Sequence, residues 1–242
     1  MNADFFYRTE ILLGKTCLNL IQSQKVIIFG VGGVGSWCAE SLVRSGVRDI
    51  TLVDFDTICS TNINRQAHAT SSTIGKHKTE IMKQRLIDIN PHVSVSVISR
   101  TYTAKTSHSF NLNTYTVIVD AIDSFYDKMH LIQQATQTQA FFISSMGAAR
   151  KCDPQHIQFG NFWDIQYCLL ARKLRKKLRK EQPLPRSFPC VYSTEQNKTG
   201  QALVHESDTT KRVNGSIAHI TALFGFYIAG EIIQHIKSQI EE

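Results

Sequence analysis

The residues in this chain that could do chemistry are carboxylates and cations set at short intervals after a glycine cluster. Gly30, Gly32, Gly33 and Gly35 form a G-x-G-G-x-G. Asp54 and Asp56 stand in VDFD, Asn62 and Arg65 in TNINRQ, Lys78 in IGKHKTE, and Asp123 ends DAID. Small residues at the glycine spacing let backbone N–H groups approach a phosphate, and a following helix points its positive end at the same anion. A carboxylate about two dozen residues past the first glycine is where a β-α-β site meets ribose hydroxyls, which predicts that role for Asp54. Dehydrogenases share that much. Arg65 and Lys78 separate the alternatives, because a dinucleotide needs no such pair of cations beside two carboxylates. A triphosphate with a metal ion needs both, cations to neutralise phosphoryl oxygens and carboxylates to hold Mg²⁺.

Those side chains require a scaffold that gathers them. Val26–Phe29 is a short apolar run against the glycines and reads as a buried parallel strand. Ser36–Ser45 continues as an amphipathic helix stopped by Gly46, and Ile50–Val53 is a second strand ending at Asp54. Lys76–Ile89 reads as a helix ended by Asn90-Pro91. Val93–Ile98 alternates as a half-buried strand, Thr116–Asp120 is a buried one, a helix starts near Phe125, and Gln139–Met146 is the next strand. This alternation predicts an α/β fold with a doubly wound, mostly parallel, Rossmann-like sheet. Ligands then bind beyond the carboxyl ends of the strands, so Asp54, Asp56 and Asp123 should converge. Asp123 is the candidate Mg²⁺ carboxylate, and it could also cap the helix behind it.

Thr9–Ser23 reads as an opening helix with Arg8 just before it. Past Met146 the rhythm changes. Asp153–Phe162 reads as extended chain and turns, Trp163–Lys180 as a helix, and Glu181–Pro189, with three of the five prolines, as a crossing loop. Asn197–Gly215 is polar and reads as a hairpin or loop near the active site, and Gly215–Ile236 as a closing helix. Its uninterrupted apolar stretch, Ile220–Gly230, falls well short of the ~20 residues a membrane span needs, so a buried or interface helix is expected. A single domain over 1–242 follows, with a nucleotide-binding half of about 1–150 and a C-terminal elaboration of about 151–242 packed on it.

The net charge of +7, from 27 Lys and Arg against 20 Asp and Glu, makes an acidic partner plausible. Six dispersed cysteines include no C-x-x-C pair, so structural zinc of the two-pair kind is not expected. MNADFFYRTE carries charges without an apolar core, which predicts no secretory leader and, with unpaired thiols, a cytoplasmic protein.

Together GVGGVG, DFD, TNINRQ, Lys78 and DAID resemble the ubiquitin-activating-enzyme superfamily, whose bacterial members activate carboxylates of small sulfur-carrier proteins as acyl-adenylates. Within it, FYRTEILLG, GGVGSW with AESLVRSG, and PCVYSTE are similar to the branch of tRNA threonylcarbamoyladenosine dehydratases, over about Phe6 to Ile236. The resemblance implies an adenylating-enzyme fold, ATP and Mg²⁺ as cofactors, a tRNA substrate and a homodimer. Arg65 and Lys78 would bind the phosphates, Asn62 would orient the triphosphate, and Asp56 would sit near ribose or metal. Arg8 would reach across a two-fold interface into a second copy's phosphate pocket, the alternative being a surface residue flanking the helix. Cys190, in PCVYSTE, would be an acyl or persulfide acceptor, or else an inert buried thiol. A monovalent cation and a sulfur-transfer or cysteine desulfurase-type partner are compatible with the resemblance but leave no mark in the residues. DNA is not expected.

Arg172, Lys173, Arg175, Lys176, Lys177, Arg179 and Lys180 form a basic run anchored by Leu174 and Leu178. With a tRNA substrate, phosphate contact is the expectation. A solvated helix face and peripheral attachment to anionic lipid are the alternatives. Two other functions remain open at this level. One is adenylation of a carrier-protein tail with Cys190 forming a covalent intermediate, and the other is a non-catalytic nucleotide-binding module.

Overall fold

The computed structural model describes residues 5–181, 183–196, 203–205 and 208–241. Five strands, β1 (Lys25–Phe29), β2 (Asp49–Val53), β3 (Ser94–Ile98), β4 (Val117–Asp120) and β5 (Phe141–Ser145), pair in parallel. Two later strands extend the same sheet. β7 (Pro189–Ser193) lies parallel to β5, and β6 (Ile157–Asn161) closes the edge antiparallel to β7. The order is β3-β2-β1-β4-β5-β7-β6, with a reversal between β1 and β4 where the chain crosses from one half of the sheet to the other. This is the expected doubly wound α/β architecture.

The helices are α1 (Tyr7–Leu13), α2 (Lys15–Ser23), α3 (Gly35–Ser45), α4 (Lys78–Ile89), α5 (Phe125–Ala135), α6 (Leu169–Leu178) and α7 (Ala218–Glu241). They divide between the two faces of the sheet, and strand alternation shows why. Val26 and Ile28 of β1 pack with Leu42 of α3, Met82 of α4 and Phe224 and Ile228 of α7. Ile27 and Phe29 point the other way, to Leu131 and Ile132 of α5 and Leu174 of α6. Burying an aliphatic or phenyl side chain fully contributes about 1.5–3 kcal/mol, so strands buried on both faces read as unbroken apolar runs.

Three expectations need correction, and two others become definite. The opening helix is two, because Gly14 at φ 81° and ψ 157° breaks it. The helix expected over Trp163–Lys180 starts only at Leu169. Before it, Phe162 and Ile165 are held as loop by the Arg175 guanidinium, which donates to both carbonyls at 2.8 and 2.7 Å. Part of Asp153–Phe162 is β6, and PCVYS, for which no strand was expected, is β7. In the polar span, β8 (Leu203–His205) and β9 (Asp208–Val213) pair antiparallel, and residues 197–202 and 206–207 lie outside the described residues. No helix among the described residues is long and apolar enough to cross a membrane.

Candidate active site

Beyond the carboxyl ends of the parallel strands lies a cavity of about 1850 Å³. A pocket for one small molecule spans about 300–1,000 Å³, so this one has room for more than a nucleotide. The glycine loop, Asp54, Asp56, Asn62, Arg65, Lys78 and Asp123 all line it, as the switch-point rule anticipates.

At the β1 end, Gly30 has φ 88°, and a Cβ there would stand 2.6 Å from the Ala121 carbonyl oxygen. Only glycine allows the β1 and β4 ends to close to this distance. α3 then opens with no side-chain cap, so its N-terminus faces the cavity with the anion-seeking polarity of a helix start. Asp54 accepts the Val31 N–H at 2.7 Å through Oδ2 and the Asp56 N–H at 2.9 Å through Oδ1. It therefore shapes the glycine loop while edging the pocket. Burial pushes its carboxyl up, and Lys78 and the two N–H donors pull it back.

Lys78 begins α4 and is nearly buried, its Nζ donating to Asp56 Oδ2 at 2.6 Å. The Arg65 guanidinium donates to the Thr61 carbonyl at 2.8 Å and to Asn64 Oδ1 at 2.9 Å. Its own carbonyl is held by the Trp37 indole N–H at 3.0 Å, which ties this loop to α3. Asn62 is buried, and its Oδ1 accepts the Cys59 N–H at 3.2 Å, so it also builds the turn that carries Arg65. Gln66 was not singled out from TNINRQ. Its Oε1 is buried at the cavity wall without a hydrogen-bond partner among the described residues, an acceptor waiting for a donor.

At the β4 end the sequence reading missed a pair of groups. Asp120 and Lys128 are both fully buried, with Nζ 2.7 Å from Oδ2. The Ser144 hydroxyl donates to the same Oδ2 at 2.7 Å, and Oδ1 accepts the Ile122 N–H at 3.1 Å. The pair thus pins the turn Ala121–Ser124 that presents Asp123 to the cavity. An Asp ending an apolar run, with Lys eight residues on in a helix, was the available signal. Asp123 is exposed, and the cap position of α5 is Ser124, whose hydroxyl donates to Asp127 at 2.7 Å.

Cys190 lies inside β7, fully buried, and burial raises its thiol well above the ordinary value. It does not line the cavity. A thiol so placed is inert rather than nucleophilic. Arg8 is exposed on α1, away from the cavity wall and beside exposed Phe5, Tyr7, Ile11 and Leu12. The basic run divides. Arg172 and Lys173 are exposed on the cavity wall, whereas Arg175 is committed to the loop carbonyls and sits 5.8 Å over the Phe162 ring. Lys177 is 3.6 Å from Glu181, Arg179 lies over Trp163, and Lys176 and Lys180 are exposed away from the cavity.

The residues present fit a magnesium nucleotide. The loop offers backbone and a helix start to phosphates, Lys78 and Arg65 offer charge, and Gln66 offers an unmet polar atom. No cluster of three or more metal-ligating side chains exists among the described residues. Mg²⁺ carried on a triphosphate needs only one or two protein carboxylates, the rest being phosphate and water.

The chain is 34% identical to the tRNA threonylcarbamoyladenosine dehydratase of Bacillus subtilis, over 98% of this chain and 96% of that protein. It is 31% identical to the dehydratase of Escherichia coli, over 97% and 94%. The crystal structure of the E. coli tRNA N6-threonylcarbamoyladenosine dehydratase in complex with ATP matches at TM-score 0.85 and 32% identity, covering 98% of this chain and 95% of that one. The ThiF family profile matches residues 7–242, and on that extent and these identities the chain belongs to the ThiF family.

Proposed function

We propose that the protein is an ATP-dependent tRNA threonylcarbamoyladenosine dehydratase. The carboxylate of the threonylcarbamoyl group attacks the α-phosphorus of ATP, and pyrophosphate leaves. An atom of the carbamoyl part of the same group then attacks the acyl carbon, closes a ring and expels AMP. ATP becomes AMP and pyrophosphate, and the nucleoside loses one water. Ring closure is intramolecular, so effective molarity supplies much of what an enzyme nucleophile would, in keeping with the burial of Cys190.

The observation that carries this reading is the near-full-length match to a dehydratase crystallised with ATP, on a chain whose own cavity collects the glycine loop, Arg65, Lys78 and Asp123. In this reading Asp54 meets the ribose, Arg65 and Lys78 bind the phosphates, and Asn62 and Gln66 shape the pocket around them. Asp123 would hold Mg²⁺, which supplies charge neutralisation at the leaving pyrophosphate. Arg8 acts on a second copy of the chain, and the exposed apolar residues of α1 beside it support a two-fold contact there. The test is direct. Incubated with ATP, magnesium and tRNA bearing the modification, the protein should yield a nucleoside lighter by one water on mass spectrometry, with one AMP per product. AMP formation without that mass change would remove the reading.

A further inference from the structure

We propose that the cavity beyond β5 is a base-stacking subsite for single-stranded RNA, with Tyr167 as the platform and Arg172 and Lys173 as its phosphate contacts. This rests on the tRNA reading above and adds where the RNA sits.

The strand order supplies the geography. Asp54 ends β2 and places the ribose there, the glycine loop ends β1, and Asp123 follows β4. Along β2-β1-β4-β5, the sugar, the attacked α-phosphorus and the pyrophosphate beside Asp123 therefore run in that order toward β5, and the space the nucleotide leaves lies past them on the β5 side. The cavity continues there, with more volume than a nucleotide fills, and its wall changes to the start of α6 and the loop before it. A Cβ built on Gly147, just past β5, would lie 3.9 Å from Leu170, so the start of α6 is packed against this strand end.

Tyr167 lies in that wall, 62% exposed, at φ 59°. The Cys168 N–H donates to the Gln166 carbonyl at 2.8 Å, closing a three-residue turn about the tyrosine. A bulky side chain in the left-handed region is strained and persists only where its surroundings impose it. Core packing does not explain the choice, because the ring is largely in solvent. The loop is nevertheless firmly held, since Arg175 clamps the carbonyls of Phe162 and Ile165 from the first turns of α6. A rigid mount carrying an exposed aromatic suits a ligand with a flat face. Ala171, Leu174 and Leu178 bury one side of α6 and leave Arg172 and Lys173 on the cavity wall. An aromatic ring for a base beside cations for the backbone is the pairing by which proteins hold unpaired RNA.

The test uses the full chain, ATP and an anticodon stem-loop RNA carrying N6-threonylcarbamoyladenosine. Stacking of one base is worth a binding loss of roughly 10- to 100-fold on removal of the ring. Tyr167→Ala and Tyr167→Gly should both raise KM for the RNA by that factor and leave the Kd for ATP unchanged, while Tyr167→Phe stays near wild type. Tyr167→Gly relieves the backbone, so its thermal midpoint should hold or rise even as KM worsens, which a merely structural tyrosine would not produce. An unchanged KM for RNA in the Gly variant overturns the proposal, and so does a parallel loss of RNA and ATP affinity. Wild-type protein that leaves this RNA unconverted would overturn the dehydratase reading itself, a result distinguishable because it precedes any substitution.

Discussion

Two lysine–aspartate pairs stand at strand ends on either side of β1. Asp56 and Lys78 meet at 2.6 Å behind β2, and Asp120 and Lys128 at 2.7 Å at the end of β4. Their lengths are alike and their surroundings are opposite. The Asp56 side chain is 46% exposed on the cavity, whereas Asp120 and Lys128 are both at 0%. A pair open to water on one side contributes only about 0–1 kcal/mol, so a phosphate can take the lysine at little cost. A sealed pair is different. Removing one partner strands a charge without solvent and costs about 3–5 kcal/mol, although two apolar replacements can be neutral. One pair is thus an open contact on the cavity whose cation a phosphate could take up. The other is a fixed post that holds the turn carrying Asp123.

The largest effect that would sharpen this contrast is on the sealed pair. Lys128→Met should lower unfolding stability by about 3–5 kcal/mol in urea titration, and Asp120→Asn with Lys128→Met should recover most of it. A loss below about 1 kcal/mol for the single change would erase the distinction. At the open pair the pattern inverts. Lys78→Met, which keeps the buried stem, should change stability by no more than about 1 kcal/mol, while turnover of ATP and modified tRNA falls by roughly 10²- to 10³-fold, the scale for removing one charge-stabilising donor. A large stability loss with retained turnover would break the comparison.

The same division repeats on α6. Arg175→Ala should cost about 1.5–3 kcal/mol, the worth of hydrogen bonds from a charged group, measured by thermal or chemical denaturation. Lys176→Ala should move the unfolding midpoint hardly at all. The smallest effect concerns Glu40, which joins Arg44 and Arg85 at 2.9 and 2.6 Å and so ties α3 to α4. Burial alone would raise its carboxyl, but the two guanidinium groups outweigh that and hold it below the usual value. A depressed carboxyl stabilises the fold above its unfolded pKa, and that stability is lost as the pH falls through the folded value. Glu40→Gln should therefore flatten the acid side of the stability–pH curve and lower the neutral plateau slightly. An unchanged acid limb would show that the guanidinium groups leave its protonation alone.

Much of the parallel core was legible because its central strands β1 and β4 are buried on both faces, so VIIF and VIV stand out as unbroken apolar runs, while the edge strand β3 shows as an alternating one. β7 escaped notice because it opens on a proline, is only five residues long, and has partner strands 28 or more positions away in sequence. The late start of α6 was invisible for a similar reason. Helical periodicity extends back to Trp163, and what stops the helix is a guanidinium reaching backward to two carbonyls, a contact between residues that propensity treats one at a time. Reading Arg175 as one of seven equivalent cations had the same origin.

Glycine spacing, the position of Asp54, and the presence of Arg65, Lys78 and Asp123 are local properties, written into residue order because a phosphate loop and a strand-end carboxylate are built from consecutive residues. Which lysine–aspartate pair is wet and which is dry is not local. It depends on what the sheet, α5 and α3 exclude from each position, and solvent exclusion is a property of the packed whole. The same holds for the fate of Cys190. A thiol's reactivity follows from its access to water and charge, and those were settled when β7 entered the sheet between β5 and β6.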